Sequence, residues 1–514
     1  MEALTDSSNT VGLHGIARNS VIGYFGVVFV LVVNFFIKIL LSRVLSVGEL
    51  GLFFAGQAVI GLILVAAQLS LPESVVRFVG MFAVQEMDKA NAYIANALWL
   101  SGLSTVFFAL GVSLCAGWIA DTLRNPALAQ VLLLLAVSIP LTTLADVLAA
   151  AGRGVGQLWI KVVLGDVTRP LWVVMALGLL FLLGVSSLSV VIWVYLTGSL
   201  VSSVLTVIWF KSNIHLQGSI SKASIVELLR YGLPLLGTAL LAGPLVNSAL
   251  PLLITRLSSV QAVAYYNLAI SLSLLINVPI AVVEQAALPV WSAQSQTGSI
   301  FELRAAYAFV ARWSFLASSI VFALLWFNAG TILTFLYGPA YITAAPSLQA
   351  IAAAMLFGVI VGPNAGMLRA FADTHWLFVC SVVTGIVSLA VGMFLIPTWG
   401  LMGGVLAFVT AVVLTNSLFG VLLFVKHRIH PVDGIYLKTL VVSFVSFFLV
   451  GFAQPYLSKG IYGVLMIGAL YTIILVCMIL IARAYTDQDL QVVSKTYQWL
   501  LRFLEKKRGT DAID

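Results

Sequence analysis

Charge is what this sequence has least of. Asp, Glu, Lys and Arg make up 9% of its 514 residues while 61% are hydrophobic, and the mean hydropathy of +1.10 lies far outside the range of soluble domains. That scarcity excludes a soluble globular protein and dictates an integral membrane one. Cysteine is rare too: Cys115, Cys380 and Cys477 all fall inside apolar runs, with no His or second Cys at ligand or redox spacing. They are expected as small core residues rather than metal ligands or a disulfide framework. There is no GxxxxGK[ST] and no HExxH, which removes P-loop nucleotide hydrolysis and zinc proteolysis of that type. Residues 1–18 carry Glu2 and Asp6 and lack a basic stretch leading into a short apolar core, so no removable signal peptide is expected.

What is abundant is apolar sequence in long runs. At roughly 20 or more residues each, they suit helices crossing about 30 Å of hydrocarbon rather than barrel strands. Bounded by Pro, Gly or charge, fourteen such runs are predicted, giving an all-α bundle of about 14 transmembrane helices. The organisation read from them is a cytosolic N-terminus at 1–18 and an N-lobe of six spans at 19–210. A cytosolic linker at 211–230 precedes a C-lobe of six spans at 231–425. Two extra spans at 435–481 and a cytosolic tail at 482–514 follow. In the tail, Leu490, Val493, Tyr497, Leu500, Leu501 and Leu504 share one helical face, as an amphipathic helix lying on an anionic leaflet requires.

The two lobes repeat. Val33-Asn34 through Leu40, Arg43, Ser46 and Val47 recurs as Val246-Asn247 through Leu253, Arg256, Ser259 and Val260. Arg153 with Trp159, and Arg369 with Trp376, extend the match at nearly the same offset. Apolar identities come cheaply in a chain rich in Leu and Val, but Asn, Arg and Ser matching together do not. Six spans per half is even, so the halves share orientation and are related by a pseudo-two-fold along the membrane normal, with a central cavity between them.

The net charge of +7 has its explanation in topology, since no basic patch with interleaved aromatics points to nucleic acid. With the N-terminus in the cytosol, the cations collect in the cytosolic loops and tail, leaving Arg43, Arg124, Arg256 and Lys459 outside and Lys38 and Arg169 within spans. That asymmetry sets the orientation, both termini cytosolic, in the cytoplasmic (inner) membrane.

Three local patterns add a resemblance. They are Leu41-Ser42-Arg43-Val44-Leu45 followed by Gly48 and Gly51-Leu52; Tyr337-Gly338-Pro339-Ala340-Tyr341 with Ala344 and Leu348; and Leu395-Ile396-Pro397-Thr398-Trp399-Gly400-Leu401-Met402-Gly403-Gly404. Physically these are hairpin chemistry, with Pro397 expected to end its helix and the glycines to let backbones approach. With the span count and duplication, the chain resembles the polysaccharide transporter branch, of O-antigen-flippase type, of the multidrug/oligosaccharidyl-lipid/polysaccharide (MOP) flippase superfamily. The resemblance implies alternating-access transfer of a polyprenyl-diphosphate-linked oligosaccharide for surface polysaccharide such as lipopolysaccharide. Its implied partners are that lipid-linked substrate, membrane lipids and other polysaccharide-assembly proteins around a monomeric transporter. No cofactor is implied beyond a coupling Na⁺ or H⁺.

Such a function demands fixed cations and polar groups inside the membrane. Arg169 lies about 16 Å into the fifth span at 1.5 Å per residue, close to the midplane. It fits a diphosphate-binding role, or a structural ion pair with Asp166 on the same helical face. Pro170 should kink that helix. Asn34 and Lys38 share a face of the first span and fit either the cavity wall or, for Lys38, snorkelling to headgroups. Asn247, the repeat counterpart of Asn34, and Arg256, that of Arg43, complete the cavity candidates, although Arg43 and Arg256 also fit interfacial anchors. Glu284, seven residues after Asn277, fits a Na⁺ or proton carrier or an ion pair with a neighbouring Arg, and Asp166 is the other coupling candidate. Glu73 and Arg77 have ion-pair spacing, and Asp146 and Arg153 read as boundary residues without function.

Two competing functions follow from the same residues. A cation-coupled drug or metabolite exporter of the same superfamily would share the plan, though twelve spans would fit it better. A membrane-embedded glycosyltransferase or polymerase needs a sizeable outer loop for its carboxylates, and the predicted outer loops hold little beyond Glu49 and Asp121. An enzyme is therefore not expected.

Overall fold

The computed structural model describes residues 26, 29–83, 86–213, 221–242, 247–297, 300–457, 460–486, 489 and 491. Among them the chain is helical and forms no strand. A helix at 29–44, α1, belongs to the first predicted span, whose residues 19–25 and 27–28 lie outside the described ones. Thirteen more are long and apolar enough to cross a membrane. They are α2 Val47–Phe82, α3 Met87–Thr122, α4 Leu128–Gly154, α5 Leu158–Leu183, α6 Leu188–Ser212, α7 Lys222–Leu240 and α8 Val260–Leu288. The rest are α9 Ile300–Phe327, α10 Pro339–Ala370, α11 Thr374–Trp399, α12 Leu401–His427, α13 Gly434–Tyr456 and α14 Ile461–Ile481. Each falls on one of the predicted spans two to fourteen. The chain is an all-α, multi-pass membrane protein.

Local chemistry sets the element ends. Ser46 and Glu49 form a capping box that starts α2, satisfying donors that have no intrahelical partner. The same helix breaks where Leu69 and Ser70 adopt positive φ, and Pro72 in the next first turn restarts it, since its missing N–H costs nothing there. The seventh span begins at Lys222, earlier than the hydropathy places it at Tyr231, and a separate helix, Ala249–Leu257, supplies its far end. Pro397 does not end its helix as expected. It sits in the last turn of α11, which runs to Trp399, and the stop falls on Gly400 at φ +53°, a conformation cheap only for glycine.

Packing groups the described residues into two units. The first comprises residues 1–272, 333–351 and 378–415, and the second 273–332, 352–377 and 416–514. In the first, Val75 and Val79 of α2, Ile94 and Ala97 of α3, Val147 and Ala151 of α4 and Leu228 of α7 form one core. A Cβ at Gly51 would run into the Val260 carbonyl, so the glycine lets α2 and α8 touch backbone to backbone. In the second unit, Val442 and Val450 of α13 and Ile467, Tyr471 and Leu475 of α14 pack on Ala323 of α9.

Several hydroxyls inside the helices are satisfied by their own helix. Thr105 donates to the Ser101 carbonyl, Thr142 to Ser138 and Thr206 to Ser202, at 2.6 to 2.7 Å, as a medium without water requires. The cysteines correct the sequence reading: Cys115 and Cys477 are exposed on helix surfaces and Cys380 is half-buried. A lipid-facing position is as apolar as a core one, so an apolar run does not distinguish them.

Candidate functional site

One face of α1 carries Asn34, Ile37, Lys38 and Leu41 into a cavity of about 380 Å³ within the first unit. The spacings of three and four residues are those of a helical stripe. Gln57 of α2, Asp146 of α4, Asp166 and Arg169 of α5 and Tyr195 of α6 form the remaining polar wall. Asn34, Lys38, Asp166 and Arg169 were each singled out from sequence, and the fold brings these four together.

The α5 wall is not regular α-helix. Residues Lys161–Val167 form a π-helix. Pro170 explains its place: the proline has no N–H to give the Asp166 carbonyl, and its ring crowds that carbonyl. The wider turn immediately upstream relieves the conflict. The Thr168 N–H bonds to the Val163 carbonyl, five residues back, and the Thr168 hydroxyl donates to the same oxygen at 2.7 Å. Ser202 of α6 donates to the Leu164 carbonyl at 2.6 Å. The kink expected at Pro170 is therefore a π-turn with its loose backbone groups tied down from α6.

The wider turn rewires the charges. The ion pair of Asp166 with Arg169, three residues on, is one of the two readings that their spacing allows, and it does not form. Asp166 binds Lys161, five residues back, because a π-turn stacks positions i and i+5 where an α-turn stacks i and i+4. The Lys161 ammonium also lies 3.5 Å from Asp146, which accepts from Gln68 Nε2 at 2.9 Å. Two carboxylates thus share one lysine. Among the described residues neither Arg169 nor Lys38 enters an ion pair. Arginine holds its charge permanently and lysine carries its own on a flexible stem. The five ionic groups therefore sum to one excess positive charge, with two cations free to meet an anion.

Asp146, read from sequence as a boundary residue, is part of this wall. Its position inside an apolar span, near one end, was the available signal, because an ionisable residue inside a span seldom lacks a partner or a role. Gln57, Gln68 and Tyr195 carried no such signal.

The other candidates lie elsewhere. Asn247 is exposed and outside this cavity. Arg256 lines a different cavity of the first unit. Its repeat partner Arg43 is a clamp, donating to the carbonyls of Leu336, at 3.0 Å, and Phe335. Glu284 belongs to the second unit and is ion-paired with Arg369, the interfacial pairing that its sequence position allowed. Asn277 points its amide at the Met355 sulfur, 3.1 Å away. Arg77 lies over the Tyr231 ring at 4.5 Å rather than against Glu73. The amphipathic face expected from Leu490 to Leu504 lies outside the described residues, as do residues 1–18.

The family model for polysaccharide biosynthesis proteins matches residues 16–294, just over half the chain and all of the cavity-lining residues. Among solved structures, the lipid II flippase MurJ in an inward closed conformation is 14% identical. The match has a TM-score of 0.72 and covers 91% of this chain and 99% of that one. An inward-facing multidrug resistance MATE family transporter of the MOP superfamily is also 14% identical, with a TM-score of 0.61, covering 77% of this chain and 94% of its own. A MOP superfamily transporter from Pyrococcus furiosus is 15% identical, with a TM-score of 0.53 and coverage of 80% and 95%. No curated protein matches the chain. On these grounds the chain belongs to the polysaccharide biosynthesis protein family, and its fold is that of the transporters of the MOP superfamily.

Proposed function

We propose that this protein is a flippase carrying a polyprenyl-diphosphate-linked oligosaccharide across the cytoplasmic membrane by alternating access of two six-helix lobes, 19–210 and 231–425, with both termini cytosolic. The observation that carries the reading is the cavity in which, among the described residues, neither Arg169 nor Lys38 enters an ion pair. A diphosphate has the charge and the oxygen acceptors to meet a guanidinium fork and an ammonium together. Asn34, Gln57 and Tyr195 add neutral donors for sugar hydroxyls or phosphate oxygens.

The coupling ion, if a proton, acts at Asp166 and Asp146. These two carboxylates share Lys161, so one can be neutralised while the lysine keeps the other. Neutralising Glu284 would strand the Arg369 guanidinium, which makes it the weaker of the two coupling candidates.

The test is reconstitution. Proteoliposomes holding the purified protein should move a polyprenyl-diphosphate oligosaccharide between leaflets, read by accessibility of the glycan to an added glycosidase. Proton- or Na⁺-driven efflux of cationic drugs, without glycolipid transfer, would instead favour the multidrug exporter reading that the MATE-like fold allows.

A further inference from the structure

A second polar cavity, of about 540 Å³, lies in the first unit and is walled by Arg124, Arg256 and the first turns of three helices. We propose that it is an anion site for a phosphate group, separate from the Arg169 cavity. Two of the four cations that the sequence assigns to the cation-poor end of the bundle converge here, and no Asp or Glu lies in the wall. Neither guanidinium enters an ion pair among the described residues. Glu49, close by on α2, is taken by the backbone N–H and hydroxyl of Ser46, at 3.0 and 2.7 Å.

Two further features favour negative charge. Gly48 of α2, Ala127 before α4 and Ser259 and Gln261 at the start of α8 contribute to the wall, so the N-termini of α4 and α8 add their partial positive charge to the two arginines, while that of α2 is met by Glu49. Arg124 itself sits at φ +55°, a position ending α3 where glycine or asparagine would be cheaper by about 1 kcal/mol. A strained arginine at a cavity mouth directs attention to its side chain. Phosphate chemistry fits because planar guanidinium forks match its oxygens. Such a group could reach the site on a soluble ion or on an anionic phospholipid headgroup.

The test uses the full-length protein carrying Lys38→Gln and Arg169→Gln together, which removes both unpaired cations of the first cavity. Pyrophosphate titrated into this protein in neutral detergent should bind saturably. Adding Arg124→Gln and Arg256→Gln should weaken binding at least about tenfold, whereas Arg124→Lys with Arg256→Lys should retain most of it. The lysine pair also controls for folding. Absence of saturable binding, or binding indifferent to both double replacements, overturns the proposal. Native mass spectrometry after passage through phosphatidylglycerol or phosphatidylcholine nanodiscs separates the sources. Phosphatidylglycerol retention that is lost with the glutamine pair identifies a headgroup, and pyrophosphate binding without lipid retention identifies a soluble anion. Failure here leaves the Arg169 reading untouched, since that cavity is silent throughout.

Discussion

Lys161 is bound to Asp166 across a π-helical turn, five positions along the chain, and this leaves Arg169 without the carboxylate that precedes it by three. Had α5 been regular, the i, i+3 spacing would have favoured closing Asp166 on Arg169 and cancelling the charge on which anion binding depends. Pro170 forces the irregular turn, the turn redirects the carboxylate, and the redirected carboxylate leaves a guanidinium available. A backbone constraint thereby becomes a binding property of the cavity.

The first prediction concerns that guanidinium. Arg169→Ala should abolish glycolipid transfer or reduce it more than about tenfold, the loss of one charge-assisted contact of about 1.5–3 kcal/mol. Membrane abundance should be unchanged, because no partner is stranded. Arg169→Lys should fall between, since an ammonium supplies charge without the fork. Surface glycan at wild-type level in the Ala variant would remove Arg169 from the substrate path.

Lys161→Met should lower substrate affinity although Lys161 need not touch substrate. Without its ammonium, Asp166 and Asp146 become the carboxylates available to Arg169 and Lys38, and they compete with the incoming diphosphate. The cost is about 1–2 kcal/mol, roughly five- to thirty-fold in affinity. Asp166→Asn in the same protein should restore most of it. Equal affinities for the single and double replacements, measured by pyrophosphate titration, would show that the carboxylates do not compete.

Asp146→Asn runs the other way. Removing a negative charge from a partly enclosed cavity strengthens anion binding, by roughly 1–2 kcal/mol at an effective dielectric near 20. The expected signature is tighter pyrophosphate binding with slower turnover, because a substrate held harder leaves later. Faster transfer with tighter binding would contradict it.

Much of the fold was legible because hydropathy and length alone mark a spanning helix, and thirteen of the spans reappear as helices. Asn34, Lys38, Asp166 and Arg169 were legible for a related reason: polar groups inside a span are expensive and so conspicuous. Their pairing was not. The i, i+3 rule that joined Asp166 to Arg169 assumes 3.6 residues per turn, and Pro170 was visible only as a kink. Asp146 escaped because its partners, Gln68 and Lys161, come from other helices. Arg256 was legible as polar and repeated, yet its cavity depends on Arg124 from a loop with no periodic signal.

The last prediction reads the second unit through a pair that sequence patterns did not reveal. Arg312 of α9 binds both oxygens of Asp489 at 2.6 and 2.7 Å, Trp313 Nε1 donates to the same carboxylate at 2.8 Å, and the two charged side chains are 6% and 8% exposed. This fastens the segment beyond α14 onto α9. Burial pushes the Asp489 carboxyl up, but bonds from Thr486 and Trp313 and the charge of Arg312 outweigh it and hold the group below the usual carboxylate range. A depressed folded value means that the pair stabilises fully above the unfolded value near 4, and that its contribution drains away as pH falls through the lower folded value. Asp489→Asn should therefore lower the unfolding temperature at pH 7 and remove part of the acid sensitivity. Arg312→Met alone should cost about 3–5 kcal/mol, because it leaves a buried carboxylate unpaired. Arg312→Met with Asp489→Leu should recover much of that loss, since an apolar pair buries no unpaired charge. Thermal unfolding of the purified proteins in detergent at pH 7 and pH 3.5 measures all three. An Arg312→Met protein no less stable than the double variant would mean that the carboxylate finds water instead, and that the anchor is weaker than its geometry implies.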